Sequence, residues 1–218
     1  MVKNGIFRII LFLCLLSFCW FSLIQASDDS EYWMVYTFSI NINEKIKLNL
    51  VDEFHIKNIV SNFHTYVQYV GMGYEINDYF DTAIWYKLVS SEKNQHWSES
   101  HRFDIDGTFK LNINGFKLSN RSRLERNTTA SSWLYRDRIK LEKGVKLFNK
   151  GFTPYVFNEF FLDITPNPGY HENRASVGFS TGFIWGSKLA IYYMSRAKKS
   201  NGSWNSADII GTTVGFYF

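Results

Sequence analysis

Cysteine is almost missing from this sequence. Cys14 and Cys19 are the two in 218 residues, and both lie before position 26. The chain beyond them can form no disulfide, no thiolate metal site and no cysteine nucleophile. Charge of one sign is also lacking. Lys and Arg total 24 against 20 Asp and Glu. With Lys3 and Arg8 set aside, the remainder is nearly balanced, which excludes a polycationic nucleic-acid binder. Beyond Ala26 no apolar run is long enough for a membrane-spanning helix. Proline occurs three times, at Pro154, Pro166 and Pro168, each at an expected strand start or loop, where a missing amide donor does no harm.

The one long apolar run is N-terminal. Met1 to Arg8 is a short basic segment, Ile9 to Ile24 is apolar, and Ile24-Gln25-Ala26 is a small-residue cleavage site before Ser27-Asp28-Asp29-Ser30. Sixteen apolar residues fall short of the roughly 20 a spanning helix needs. Residues 1–26 therefore read as a removable export signal and 27–218 as one domain. A lipid anchor at Cys19 is disfavoured by Phe18, where a small residue belongs. Any later crossing of a membrane has to use strands.

The rest repeats one pattern, ten to sixteen residues of period-two alternation followed by a turn. Strands are expected near 32–43, 46–57, 62–76, 81–90, 97–112, 116–128, 132–147, 153–163, 170–184, 188–198 and 206–218. Tight turns (Asn43-Glu44-Lys45, Asn77-Asp78-Tyr79, Asn114-Gly115, Asn149-Lys150-Gly151, Gly186-Ser187) alternate with longer polar loops at 57–62, 90–96, 127–132, 163–169 and 198–205. Short turns on one rim and longer loops on the other suit a bacterial outer-membrane barrel. The fold expected is all-β: an antiparallel up-and-down transmembrane β-barrel of ten to twelve strands. Eleven are counted, but single-chain bacterial barrels normally have an even number, so twelve is the best single value.

Alternation separates two faces. Strand 116–128 sets Lys117, Ser119, Arg121, Arg123 and Glu125 against Phe116, Leu118 and Leu124. The charged face is too ionic for a dry core, since an unpaired buried ion costs several kcal/mol. It is assigned to the lumen and the apolar face to lipid. Aromatic residues are plentiful, and Trp33, Tyr74, Trp85, Trp97, Trp133, Trp185, Tyr193 and Trp204 lie near strand ends, as interfacial girdles do.

The lumen face yields the candidate site, a charge band of Arg102, Asp104, Asp106, Arg121, Arg123, Glu125, Arg136, Arg138, Lys140, Glu142, Glu159 and Arg174. A two-residue Asn114-Gly115 turn makes paired positions sum to 229, so Asp106 faces Arg123 and Asp104 faces Glu125. Looser turns, uncertain by about two residues, bring Arg138 beside Arg123, Lys140 and Glu142 near Glu159, and Glu159 near Arg174. The band reads either as a salt-bridged lattice filling a narrow lumen or as a constriction selecting small polar solutes. Cations only slightly outnumber acids in it, so a strong anion preference is not expected.

No catalytic, cofactor or metal residues are assigned. His55 shares the inward parity of Glu53 and Lys57, whereas His64, His101 and His171 share the lipid-facing parity. Groups on opposite faces of a wall cannot converge on one reacting atom. A lipid-modifying barrel enzyme remains an alternative reading. So does a soluble lipocalin-like carrier, which would be expected to bring an apolar interior and cysteines.

The final strand, Ile210 to Phe218, alternates and closes on phenylalanine. It resembles the C-terminal signal read by the outer-membrane assembly machinery, with Val214, Phe216 and Phe218 at the matching positions. Phe116 to Glu142, with its Asn-Gly turn, Arg-x-Arg-x-Glu at 121–125 and Arg-x-Arg-x-Lys at 136–140, resembles the bacterial proteins grouped as domain of unknown function 2490. The likeness continues through Tyr155 to Phe160, Asn173 to Phe179 and the closing strand. It implies an outer-membrane barrel and carries no activity. The partners expected are outer-membrane lipid and lipopolysaccharide, the assembly machinery and a small polar solute, with no nucleic acid.

Overall fold

The computed structural model describes residues 30–57, 62–93, 95–147, 150–165, 168–183, 186–200 and 202–218. The expected export signal lies outside them, as does Trp185. Nearly every described residue is in a strand: β1 (Glu31–Asn41), β2 (Ile46–Lys57), β3 (Asn62–Asn77), β4 (Phe80–Lys93), β5 (His96–Ile113), β6 (Phe116–Asn127), β7 (Ser132–Lys143), β8 (Val145–Leu147), β9 (Lys150–Thr165), β10 (Gly169–Gly182), β11 (Lys188–Ser200) and β12 (Ser203–Tyr217).

Neighbouring strands pair antiparallel, and β12 returns to β1 to close a barrel. Eleven strands form the wall. The twelfth, β8, continues β7 beyond Gly144 and pairs only with the start of β9. An odd number leaves the first and last strands pointing the same way, so the closing pair is parallel, from Glu31↔Ile209 to Ser39↔Tyr217. Parallel closure therefore accommodates the odd count directly. At the seam's lower end the Phe218 amide donates to the Ser39 carbonyl at 2.9 Å, and the Asn41 amide to the Phe218 carbonyl at 3.0 Å.

The tight turns follow local chemistry. Asn114 (φ 50°) and Gly115 (φ 79°) both take left-handed conformations, which the two-residue hairpin requires. The Asn43 side chain accepts from the Lys45 and Ile46 amides, each at 2.8 Å. The opposite rim departs from expectation: Glu92 pairs with Trp97, Lys93 with His96, and Ser200 with Ser203. Polar strand ends continue their ladders, because pairing satisfies backbone groups whatever the side chains are. The expected contrast between short turns and long loops is therefore largely lost.

Apolar side chains point out and charged ones point in. Phe103, Ile105 and Ile139 are more than half exposed on the outer wall, whereas Lys87 is 2% and Glu159 0% exposed within. Inside, a small apolar cluster of Trp33, Met194 and Ile209 sits beside the seam, with Tyr192 and Phe157 against it. The hydroxyl end of the Tyr192 ring packs against Gly211, where any Cβ would overlap it. Phe38 and Phe216 stack across the seam outside at 5.2 Å.

Candidate functional site

The bore is built around one bank of charge on β4–β7 and β9. Asp106 faces Arg123 and Asp104 faces Glu125, as the Asn114-Gly115 turn requires. Two opposed carboxylates repel, and the structure resolves this with a residue outside the expected band. Lys87 Nζ lies 2.6 Å from both Asp104 Oδ2 and Glu125 Oε2. Arg123 donates two hydrogen bonds to Asp106 and lies 2.9 Å from Asp104. Arg102 binds the other Glu125 oxygen at 2.7 Å.

Across β6–β7 the register is Arg123↔Arg136 and Arg121↔Arg138, two residues from the Arg138–Arg123 pairing expected from the looser turn. Two pairs of like charge therefore stand opposite each other. Glu159 sits among them and accepts from Arg121 at 2.9 Å, Arg136 at 3.0 Å and Arg138 at 2.8 Å. Glu159 also pairs in register with Arg174, as expected, but Arg174 donates to Glu172, at 2.6 Å. Lys140 and Glu142 are not near Glu159. They pair with each other lower in the bore, opposite Phe157 and Tyr155.

The upper bore gathers residues that parity had separated. A bulge in β3 leaves His64 without a cross-strand partner between Phe63 and Thr65, and another in β10 does the same to His171. An extra residue reverses side-chain direction locally, so both line the bore instead of the outer wall. His64 Nε2 is 4.0 Å from Glu31, and His171 Nδ1 is 3.1 Å from Asp163. His55, inward as expected, binds Glu53 at 2.6 Å and stacks on Trp33 at 3.9 Å. Trp33 is thus a bore residue rather than a girdle residue, donating to Glu31 at 2.8 Å beside Arg174 and Arg196. Trp85 is inward too, donating to Asp106 at 3.1 Å. His101 does face outward, bonded to Tyr86 at 2.6 Å. Among the described residues no three His, Cys, Asp or Glu are disposed to hold a metal.

Other aromatics of the expected set do lie on the outer wall. Trp97 lies 5.5 Å from Phe63 with the rings tilted by 31°, Trp204 lies 5.2 Å from Tyr170, and Arg126 covers Trp133 at 5.2 Å. Asp137 is outward by parity, but Asn120, Ser122 and Tyr135 donate to it at 2.7, 2.7 and 3.1 Å. These three donors satisfy the carboxylate on that face. Val214, Phe216 and Phe218 share the outward parity of the seam strand, beside β1.

Beside the bank runs a cavity of about 1210 Å³. It is lined at one rim by Lys57, Ser91 and Lys198 and at the other by Gly151, Lys188 and Tyr217. Twelve lysines and arginines and seven carboxylates line it, an excess of five positive charges. Asp104 and Asp106, behind Lys87 and Arg123, reduce the excess to three. The expected band holds seven cations and five acids; the further cations Lys57, Lys87, Lys188, Arg196 and Lys198 are offset by Glu31, Glu53, Asp163 and Glu172, so the excess in the bore is one charge larger than that of the band. Among these, Lys87 carried a legible signal, the one cation within the otherwise apolar Ala83–Val89 stretch, two residues from Trp85 and Val89 on the same face.

No curated protein matches the chain. The family model described as protein of unknown function DUF2490 matches residues 30–207, nearly the whole barrel. With that coverage, the chain belongs to the DUF2490 family.

Proposed function

We propose that the protein is an outer-membrane β-barrel of a Gram-negative cell that passes small anionic solutes passively through a positive bore. The observation that carries this reading is a cavity reaching from rim to rim with an excess of cations, inside a wall whose outer face is apolar. Soluble monomers rarely expose contiguous apolar patches beyond a few hundred Å², and here the apolar face encircles the molecule. Hydrocarbon on that side removes the conflict, and girdle aromatics then lie at the headgroups, against lipid and lipopolysaccharide. A soluble carrier of apolar ligands would need the opposite arrangement. Fixed charges lining a bore set the sign of the ions admitted. The closing strand offers Val214, Phe216 and Phe218 to the assembly machinery from its outer face.

A structural barrel without conduction is the second reading, favoured by the buried lattice of Lys87, Asp104, Arg123, Glu125 and Glu159. Planar bilayers decide between them. Folded protein, verified by heat-modifiable migration, should carry current, with a reversal potential in a salt gradient that favours chloride over potassium. Arg138→Glu should reduce that preference. Bilayers that stay sealed at every voltage would leave the structural reading, and a cation preference would refute the assigned sign.

A further inference from the structure

We infer that the β7–β9 flank of the bore is a binding track for small organic anions with a planar apolar body, of which an aromatic carboxylate is the simplest. The inference rests on the anion-conduit reading and adds what the anion must look like. Successive inward residues of β7 are Arg136, Arg138 and Lys140, while inward positions of β9 include Phe161, Phe157 and Tyr155. Each cation lies over one ring. The Arg136 guanidinium is 4.5 Å from the centre of Phe161, Arg138 is 4.6 Å from Phe157, and Lys140 Nζ is 4.5 Å from Tyr155. Phe157 and Tyr155 are nearly parallel, 9° apart with centres separated by 6.5 Å. Cation and ring therefore recur down the bore as a ladder.

Two features point beyond packing. The first is an excess of donors. Each guanidinium has five N–H groups, yet Arg121, Arg136 and Arg138 converge on the two oxygens of Glu159. The Nε of all three has no acceptor among the described residues. The second is repulsion: Arg121 stands opposite Arg138, and Arg123 opposite Arg136. These Nε atoms are buried, so an added carboxylate would meet the terminal N–H groups of the more open cations and add counter-charge to this flank. Arg138 and Lys140 present it with accessible charge, their side chains being 28% and 31% exposed to the bore.

Ring geometry narrows the class of anion. A guanidinium lying over a ring turns its face to that ring and leaves its N–H edge for an acceptor. Tyr155 and Phe157 add apolar surface beside that edge. Chloride, sulfate or acetate can use the edges alone, whereas benzoate can use the edges and also bury its ring.

Calorimetric titration of the full folded chain in detergent, at fixed ionic strength, separates these cases with acetate, sulfate and benzoate as probes. Benzoate is expected to bind about tenfold more tightly than acetate, the effect of partly burying one ring. Phe157→Leu, which keeps apolar bulk but removes the π-face, should shrink that advantage, weakening benzoate more than acetate. Arg138→Gln should weaken both carboxylates. Equal affinity for acetate and benzoate, no benzoate binding, or an advantage untouched by Phe157→Leu would each overturn the track. The bilayer result is separate. Chloride preference without benzoate selectivity refutes the track alone, and benzoate selectivity with sealed bilayers refutes conduction alone.

Discussion

Replacing Glu159 by glutamine keeps its shape and removes one negative charge at a position with 0% exposure. Three guanidinium nitrogens then lose their shared counter-charge at 2.8–3.0 Å. At about 4 Å and an effective dielectric of about 20, each such pair attracts by about 4 kcal/mol before desolvation. Dehydration and mutual repulsion of the arginines consume much of that. Removing one partner from a buried ionic group costs about 3–5 kcal/mol net. Arg121 and Arg138 are 22% and 28% exposed and can hydrate, and Glu125 lies 3.5 Å from Arg136. The lower end, about 3 kcal/mol, is therefore expected. Urea unfolding of the barrel refolded into lipid vesicles, followed by heat-modifiable migration, measures it. Adding Arg136→Met to Glu159→Gln should recover about 1 kcal/mol or more, because it removes a stranded charge and leaves Phe161 an apolar neighbour. A loss below about 1 kcal/mol for Glu159→Gln, the range of an exposed pair, would show that water reaches this carboxylate and refute the buried-lattice argument.

Gly211→Val should destabilise the barrel by about 1–3 kcal/mol through overpacking against the Tyr192 ring, with relief when Tyr192→Ala is added; an unchanged unfolding midpoint would contradict the close approach. Residues 27–218 contain no cysteine, so single-cysteine variants of that segment report side-chain direction cleanly. In vesicles a charged thiol reagent should label His64→Cys, His171→Cys and Arg138→Cys but spare Phe103→Cys and Ile139→Cys, and labelling of the last two would invert the wall. At the seam, Ser39→Cys with Tyr217→Cys should crosslink within one chain. Formation only of crosslinked dimers would disprove parallel closure.

Much of the wall was legible because a strand's side chains alternate strictly. Residues 46–57 were placed to the residue, and the Asn114-Gly115 turn fixed the Asp106–Arg123 register, since left-handed turn residues permit one pairing. Legibility failed where alternation breaks. The bulges at His64 and His171 leave no mark in hydrophobic pattern, so two histidines assigned to lipid belong to the upper bore. Trp33 and Trp85 misled differently: an aromatic near a strand end suits an interface equally with a bore, and parity alone distinguishes them.

The sequence by itself determined an alternating β wall, a charged face, an apolar face and most of the turns, because those follow from backbone periodicity and local φ preferences. Only tertiary closure decided the rest. Parallel return of β12 to β1 accommodates eleven strands, Lys87 lies between two facing carboxylates, and Glu159 collects three arginines from two strands. Such contacts depend on shear and on residues far apart in the chain, and neither is encoded in a single strand's pattern.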